Sequence, residues 1–438
     1  MRLAYVIFLL AVGTETFAAS GEHWVTTWAN PQPTIPTRFP PLPAASPAGK
    51  PRSGPNALTL VIDAKGFHDQ TVRMVVHTSI GGRRLRIRLS NPYGALPVKI
   101  GAARIALRSE GSATVPGTDR AVLFNGKTSC TLGPGVILLS DPIDMGVGPQ
   151  TDLAVSLYFP GDTGPPAARN GLHTTYISRS GDATAASKID DGLTTPIWYW
   201  LTAVDVLAPA DTAAIIAFGD SITEGWRSTD DANRSYPADL SRRLVQTSSA
   251  PPIAVANLGL GGNRVLHDGT GASALARFDR DVLGQAGVTW LLLLEGVNDV
   301  GHIDQEPVTA DDVIGGLKQI IERAHTQGIK VMVGTLTPYA GAAYASAAGE
   351  AIRQSVNAWI RTTNLVDATV DFDAATRDPA DATRLRPEFD PGDHLHPNDA
   401  GYAAMADAIE LRVFRNPVRS KQHQNSGRKG QRKHEVLE

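Results

Sequence analysis

The sequence predicts two domains, an all-β sandwich followed by a three-layer α/β/α domain built on a parallel sheet. Three observations support this fold class. First, 438 residues exceed what one hydrophobic core usually supports. Second, residues 58–206 contain short alternating runs punctuated by turn signals, without a helical period. Third, from residue 213 continuous apolar strands alternate with amphipathic helical patterns, which is typical of a parallel sheet covered on both faces.

The sandwich domain is predicted to occupy residues 21–206, with an aromatic strand at 198–200 near its end. Its first strand is expected at 24–30, and the proline-rich stretch 31–55, which lacks apolar periodicity, is expected to be a long surface loop. Runs 85–89 and 153–159 then alternate between faces of a strand, which places aliphatic side chains on one face. Such alternation indicates antiparallel sheets packed face to face.

The second domain is predicted to span residues 213–416. Three candidate site residues, Ser221, Gly262 and Asn298, each follow one of its predicted strands. Open parallel sheets bind ligands beyond the carboxyl ends of their strands, so these residues are expected to share one rim. The predicted strands are 214–218, 253–256, 290–294 and 329–336, and helical patterns run through 313–324 and 352–360.

The N-terminus predicts export. Met1 and Arg2 supply a short positive region, residues 3–12 are apolar but too few to span a bilayer, and small residues follow. We therefore expect a signal peptide at 1–20 and a secreted or periplasmic protein; a buried N-terminal strand or helix is the alternative. Cys130 is the single cysteine, which excludes an intramolecular disulfide.

Charge and hydropathy limit the partners. The net charge of −3 argues against nucleic acid as the main partner. Residues 417–438 carry six Lys or Arg and two Asp or Glu, so the basic character is confined to a tail that we expect to be disordered. No stretch after the signal peptide is long and apolar enough to predict an integral membrane segment. The sequence leaves the oligomeric state open.

Four short blocks contain the residue types of acyl-transfer chemistry. They are Gly-Asp-Ser at 219–221, a glycine-rich stretch at 257–263, Gly-Val-Asn-Asp at 296–299 and Asp-His-Leu-His-Pro at 393–397. A serine nucleophile needs an activating base, a group that orients this base, and donors for the developing oxyanion. The four blocks contain one candidate for each of these roles.

In this order, the blocks resemble those of the SGNH family of GDSL-type hydrolases. The resemblance implies that Ser221 is the nucleophile, that His396 is its base, and that Asp393 orients the histidine. It also implies an oxyanion hole formed by the backbone N–H groups of Ser221 and Gly262 and by the side-chain amide of Asn298. Thr223 replaces the second glycine of the G-x-S-x-G motif, which argues against the α/β-hydrolase nucleophile elbow.

Each of these residues also has a plain structural interpretation. Ser221 and Asn298 lie where helix caps are common, and Gly262 could serve an ordinary turn. His394 competes with His396 as the base, because it is also adjacent to an aspartate. It lacks the following proline and the spacing of the family, so we expect it to be a solvent-facing neighbour. Asp299 is expected to be a structural partner of its loop. The remaining histidines near these blocks, His267, His302 and His325, are expected to be surface or structural residues.

We expect no metal and no cofactor. Asp299, His302 and Asp304 form only a loose polar cluster, without the spacing of a zinc site. The glycine-rich stretch lacks the lysine of a phosphate-binding loop and the dinucleotide-binding pattern.

Taken together, the sequence predicts a secreted serine esterase that hydrolyses acetyl or short-chain acyl esters, with an ester of a carbohydrate as the expected substrate. One alternative is a secreted lipase or phospholipid acylhydrolase, which should have a contiguous apolar patch around the serine. A non-catalytic carbohydrate-binding protein is the third hypothesis. Trp198, Trp200 and Trp226 are candidates for stacking on sugar rings, although a role in the core is an equal alternative for each.

Overall fold

The computed structural model of the protein describes residues 21–33, 65–166, 168–247 and 251–415. The predicted signal peptide at 1–20 and the predicted tail at 417–438 lie outside the described residues, as does the proline-rich stretch from residue 34 onward. Strands β1 to β12 are Glu22–Ala29, Gln70–Thr78, Leu85–Ser90, Val98–Ile100, Ala102–Leu107, Arg120–Ala121, Cys130–Leu132, Ile137–Leu139, Thr151–Phe159, Ala168–Ile177, Leu193–Tyr199 and Leu201–Pro209.

These twelve strands form antiparallel sheets. A four-stranded sheet has the order β1-β12-β3-β8, a six-stranded sheet has the order β11-β10-β2-β9-β5-β6, and β4 pairs with β7. Side chains from both larger sheets, such as Ile87 and Val204 from one and Met74 and Val155 from the other, form a single buried core. The predicted antiparallel sandwich architecture is confirmed.

The aromatic run 198–200 departs from the prediction of a single strand. Trp200 has a φ of 54° and stands between β11 and β12, where the chain turns from one sheet to the other. Its side chain is 1% exposed and packs 4.9 Å from Phe159, measured between ring centroids. Trp200 is therefore a core residue and is not available to stack on a sugar.

The second half of the described chain forms a parallel sheet with helices. Its strands have the order β14-β13-β15-β16-β17, and all four pairings are parallel. Strands β13 to β17 are Ala213–Gly219, Ile253–Gly259, Val288–Leu294, Lys330–Gly334 and Ala368–Val370. Helices α1 to α8 are Ser221–Glu224, Tyr236–Gln246, Ala274–Phe278, Val297–Gly301, Ala310–Thr326, Ala347–Thr362, Phe372–Thr376 and Asp399–Ala408, and a π-helical turn spans Asp279–Leu283.

The helices cover the sheet in two groups, with α2 against α8 and α5 against α6. Amphipathic helices cover strands that are buried on both faces, which is why these strands consist of nearly continuous apolar residues. The predicted α/β domain is confirmed, and its strands and long helices overlap the predicted segments. Within the described residues, no helix is long and apolar enough to cross a membrane.

The two parts of the chain pack against each other through β1. Its Thr26 donates its backbone N–H to Ala286 O at 3.0 Å, and β1 also contacts β14 of the parallel sheet. Ala214 and Ala254, at the start of two parallel strands, belong to the core of the sandwich. The sandwich is therefore packed directly on the α/β domain.

Candidate active site

Ser221 follows the carboxyl end of β13, an interior strand of the parallel sheet, and is the first residue of α1. The cap of this short helix is Asp220, whose carboxylate accepts the backbone N–H of Ile222 at 2.8 Å. The serine hydroxyl therefore does not serve as the helix cap, and it points instead toward the last of the four sequence blocks.

The structure brings Ser221, His396 and Asp393 together, although 175 residues separate the serine from the histidine. Ser221 Oγ lies 2.8 Å from His396 Nε2, and His396 Nδ1 lies 3.0 Å from Asp393 Oδ2. An ionised carboxylate only accepts hydrogen bonds, so Nδ1 carries the ring proton and Nε2 accepts the serine hydroxyl. This arrangement is that of a nucleophile, a base and an orienting acid.

Asp393 remains ionised because of its hydrogen bonds. Burial alone would raise its pKa, but His396 and Arg227 more than offset this, so that the pKa of the carboxyl lies well below its ordinary value. Arg227 Nε donates to Asp393 Oδ2 at 2.7 Å, the same oxygen that faces the histidine. The backbone N–H groups of Leu395 and His396 donate to the other oxygen at 3.2 and 3.0 Å.

Gly262 has a backbone conformation that requires glycine. Its φ is 72°, and a Cβ atom added there would lie 2.3 Å from Thr270 Oγ1. No acceptor for its N–H is found among the residues that the structure describes. A free, rigidly held N–H on the same rim as Ser221 fits the role of an oxyanion donor.

The amide of Asn298 is fixed by two neighbours. Tyr344 donates its hydroxyl to Asn298 Oδ1 at 3.0 Å, and Asn298 Nδ2 donates to the backbone oxygen of Asn263 at 2.9 Å. Burial raises the pKa of Tyr344 well above its ordinary value, so its hydroxyl keeps the proton that it donates. These contacts fix the orientation of the amide and leave one N–H on Nδ2 for a substrate.

Asp299 holds the glycine-rich loop in place. Its carboxylate accepts the backbone N–H groups of Val265 and Leu266 at 2.7 and 3.1 Å, and the side chain is 2% exposed. These contacts join the residues directly after the second block to the third block. Among the described residues, Asp299 makes no hydrogen bond with the side chain of Ser221 or His396, in keeping with a structural role.

The other histidines make different contacts. His394 Nδ1 lies 2.5 Å from Asp390 Oδ2, so this ring pairs with a different aspartate and faces away from the serine. His302 Nδ1 lies 2.8 Å from Asn298 O, which holds it at the edge of the site. His267 and His325 contact Glu306 and Asp367, respectively. In the described part of the chain, no group of three or more His, Cys, Asp or Glu is placed to hold a metal ion.

Arg277 is a fully buried residue beneath the site that the sequence did not single out. It donates to the backbone oxygens of Gly219 and Leu258 at 2.8 and 2.9 Å and to Asn263 Oδ1 at 2.6 Å. Asp281 balances its charge, with an oxygen 3.1 Å from the guanidinium. Arg277 thus joins the ends of β13 and β14 to the loop that carries Gly262.

All of the candidate residues except Asp393 line a cavity of about 500 Å³. Trp226, one of the candidates for sugar stacking, lines it with its ring centroid 6.5 Å from that of His396. Two lining residues, Pro33 and Asn170, come from the sandwich. The described residues that line the cavity are Pro33, Asn170, Ser221, Glu224, Trp226, Leu260, Gly261, Gly262, Arg264, Gly269, Thr270, Asn298, His302, Gln305, Glu306, Tyr344, Leu395 and His396.

Comparison with known proteins gives one family match. Residues 217–404 match the GDSL-like lipase/acylhydrolase family. No curated protein sequence matches the chain.

Solved structures resemble somewhat less than half of the chain. A GDSL-like lipase from Bacteroides thetaiotaomicron is 19% identical, with 46% of this chain and 88% of that chain covered and a TM-score of 0.36. An acetyl xylan esterase is 23% identical, with 44% and 96% covered and a TM-score of 0.34. A carbohydrate acetylesterase from Sinorhizobium meliloti is 14% identical, with 46% and 99% covered and a TM-score of 0.37.

Proposed function

We propose that the protein is an exported serine esterase that hydrolyses acetyl or other short acyl esters of carbohydrates. The match of residues 217–404 to the GDSL-like lipase/acylhydrolase family supports its assignment as a carboxylic ester hydrolase. The observation that supports the serine mechanism is the hydrogen-bonded line from Ser221 through His396 to Asp393. A protein that only binds carbohydrate has no need of this arrangement.

The first half of the proposed reaction acylates the enzyme. His396 Nε2 takes the proton of Ser221 as its oxygen attacks the ester carbonyl, and Asp393 stabilises the resulting imidazolium. Negative charge on the former carbonyl oxygen is stabilised by the N–H groups of Ser221 and Gly262 and by the amide of Asn298. The histidine then returns its proton to the leaving alcohol, and the acyl group remains on the serine.

The second half releases the acid. Water takes the place of the alcohol and gives a proton to His396 Nε2 while its oxygen attacks the acyl carbon. The second tetrahedral intermediate uses the same donors, and its collapse returns the proton to Ser221. One water is consumed, and one carboxylic acid is formed for each ester cleaved.

The chemistry of the cavity supports a polar alcohol as the leaving group. Arg264, Gln305 and Glu306 line the side of the cavity near Asn298, and Trp226 provides an aromatic face near His396. Sugars are commonly held by such a combination of hydrogen-bonding groups and an aromatic ring. The large exposed apolar residues in the described part of the chain are Leu96, Val136, Ile137, Leu139 and Leu365, and none lines this cavity.

The proposal of export rests on the N-terminal sequence. Residues 1–20 have the charged, apolar and small-residue regions of a signal peptide. Expression of the full chain, followed by N-terminal sequencing of the protein outside the cell, tests this part. Retention of an intact N-terminus inside the cell would contradict it.

The nucleophile is tested by Ser221→Ala. We expect this variant to lose nearly all esterase activity and labelling by a fluorophosphonate while keeping the melting temperature of the wild type, because triad deletions cost orders of magnitude in kcat. His394→Ala is the matched control, since this histidine is tied to Asp390, and it should retain most activity. Activity in Ser221→Ala above a few per cent would refute the mechanism.

The substrate class is tested by comparing p-nitrophenyl esters from acetate to palmitate with acetylated xylan. We expect the highest kcat/KM for short acyl chains and release of acetate from xylan. Preference for palmitate and for lipid emulsions would instead support a lipase. Hydrolysis of short esters without release from xylan would retain the serine mechanism and reject the carbohydrate.

A further inference from the structure

The sandwich reaches the active site through a bulge in strand β10. Pairing between β10 and β11 passes from Asn170–Ile197 directly to Thr175–Thr195, so residues 171–174 have no partners in β11. The bulge requires glycine at position 171, because the Cβ atom of any other residue there would lie 2.6 Å from the ring of Trp198. Asn170, directly before the bulge, lines the same cavity as Ser221.

The bulge holds a loop of the α/β domain, residues 226–235. Thr174 donates its backbone N–H and its hydroxyl to the carboxylate of Asp231 at 2.7 and 2.6 Å, and Leu172 O accepts the backbone N–H of Asp231 at 2.8 Å. His173, 4% exposed, places Nε2 2.7 Å from Asn233 Oδ1 and Nδ1 3.4 Å from Asp231 Oδ1. We call residues 171–174 the latch.

Charge strengthens the latch. Burial would raise the pKa of Asp231, but its hydrogen bonds with His173 and Thr174 hold the pKa well below its ordinary value. Asp231 is therefore ionised at neutral pH, and its hydrogen bonds to the latch are charge-assisted.

The loop held by the latch contains Arg227, which binds Asp393, the orienting aspartate of the proposed mechanism. Arg227, Asp231 and Asn233 all have left-handed backbone conformations, with φ values of 74°, 59° and 53°. These conformations are disfavoured for L-residues and persist only when surrounding contacts impose them. Arg227 then donates to Asp393 at 2.7 Å, on the oxygen that also faces His396.

We propose that the latch of the sandwich domain is a positioning element for the reaction proposed above: it fixes loop 226–235 so that Arg227 holds Asp393 in line with His396. This inference depends on the proposed function, because it assigns the sandwich a part in the same serine mechanism. The sandwich is then a component of the active site and not a separate binding module. A path of contacts connects the latch to the nucleophile. Thr174 binds Asp231 of the loop, and Arg227 of the same loop binds Asp393. Asp393 in turn contacts His396, the base of Ser221.

A double-mutant cycle on the full-length protein tests this path. The latch variant carries His173→Ala and Thr174→Val, and the second perturbation is Arg227→Ala. Each should lower kcat about tenfold, with a smaller change in KM, and the combined variant should be no slower than Arg227→Ala alone. Arg227→Lys, which keeps the positive charge, should recover part of kcat.

The matched control is Gln150→Ala. Gln150 also joins the sandwich to the α/β domain, by donating to Ser241 Oγ at 2.7 Å, but it does not contact loop 226–235. Its kcat should stay within about twofold of that of the wild type, even if the melting temperature falls. A loss of kcat in this variant equal to that of the latch variant would show a general effect of domain packing and overturn the proposal.

Two further outcomes would reject the proposal. The first is a latch variant that keeps the kcat of the wild type. The second is a combined variant in which the losses of kcat caused by the latch variant and by Arg227→Ala multiply. If the latch variant does not fold, Thr174→Val alone provides the milder perturbation for the same cycle. Failure of the serine mechanism is recognised separately, because Ser221→Ala would then retain activity whatever the latch does.

Discussion

Replacing Asn298 with alanine removes one donor that acts on charge present only in the transition state. Of the two hydrogens on Asn298 Nδ2, one is used by Asn263 O at 2.9 Å, and the second is available to the substrate oxygen. Loss of one such donor costs about 10²–10³-fold in kcat, or about 2.7–4 kcal/mol. We expect that loss in Asn298→Ala, with a much smaller change in KM.

The same substitution also affects stability. Alanine leaves the backbone oxygen of the buried Asn263 without its present partner, and an unsatisfied buried group costs about 1–3 kcal/mol. It also removes the partner of the Tyr344 hydroxyl, which lies in the wall of the cavity. The melting temperature should therefore fall, so the kinetic comparison is made per active site, titrated with a fluorophosphonate. Tyr344→Phe keeps the amide donor of Asn298 but removes a hydrogen bond that orients it. This variant should lower kcat less than Asn298→Ala does.

The assay is steady-state hydrolysis of p-nitrophenyl acetate at a temperature where each variant is folded. Asn298→Asp serves as a further comparison: it should be at least as harmful as alanine, because it places negative charge where the oxyanion develops. If Asn298→Ala raised KM at constant kcat, the residue would bind substrate or hold its loop, and the proposed oxyanion role would be refuted.

Three other predictions test neighbouring features. Gly262→Ala places a Cβ atom 2.3 Å from Thr270 Oγ1 at a φ of 72°, so kcat should fall on the order of tenfold or more. The double variant Gly262→Ala/Thr270→Ala should recover part of this loss. Equal activity of the glycine and alanine enzymes would contradict the prediction. Burial raises the pKa of Asp220 to about 7, so the folded state keeps a proton that the unfolded chain releases near pH 4. The contribution of this carboxyl to the free energy of unfolding should fall as the pH rises from 4 to 7, by a few kcal/mol at about 1.4 kcal/mol per pKa unit. In urea unfolding, Asp220→Asn should therefore gain stability relative to the wild type over this range, and an identical pH dependence of the two proteins would contradict this. His396→Ala should reduce activity as much as Ser221→Ala does, and their combination should cost no more than either change alone; additive losses would separate the two roles.

Much of the fold could be predicted because it depends on local pattern. Alternation in runs such as 85–89 and apolar continuity in runs such as 290–294 reflect which faces of a strand are buried, and both runs are strands in the structure. Trp200 shows the limit of this reasoning. Its aromatic neighbours suggested a continuous strand, but the chain turns there with a φ of 54°, which no periodicity reveals.

The candidate site could be predicted in part. The four blocks contain Ser221, Gly262, Asn298, Asp393 and His396, because each role needs a particular residue type and the blocks occur in a recognisable order. The parallel sheet explains why the first three meet, since their strands end at the same rim. The choice between His394 and His396 also followed from spacing within the last block, and the structure places only His396 beside the serine.

The supporting residues could not be predicted. Arg227 and Asp393 are 166 residues apart, Tyr344 is 46 residues from Asn298, and Arg277 is 58 residues from the backbone oxygen that it binds. The supporting residues Arg227, Tyr344 and Arg277 belong to no motif, because an arginine or tyrosine at such a position has no local requirement to satisfy. Their roles arise from side chains that meet only when the sheet, the helices and the loops are in place.

The amino-acid sequence by itself determined the order of the two architectures and the reactive groups at the ends of the parallel strands, because strand pattern and catalytic residue type are properties of short segments. Only the tertiary structure decided that the sandwich contributes to the surroundings of the active site. Asn170 lies in the wall of the cavity, and Thr174 donates a hydrogen bond to Asp231. The physical reason is that domain packing depends on the shape and hydrogen-bonding groups of two folded surfaces. These surfaces exist only after distant segments have come together.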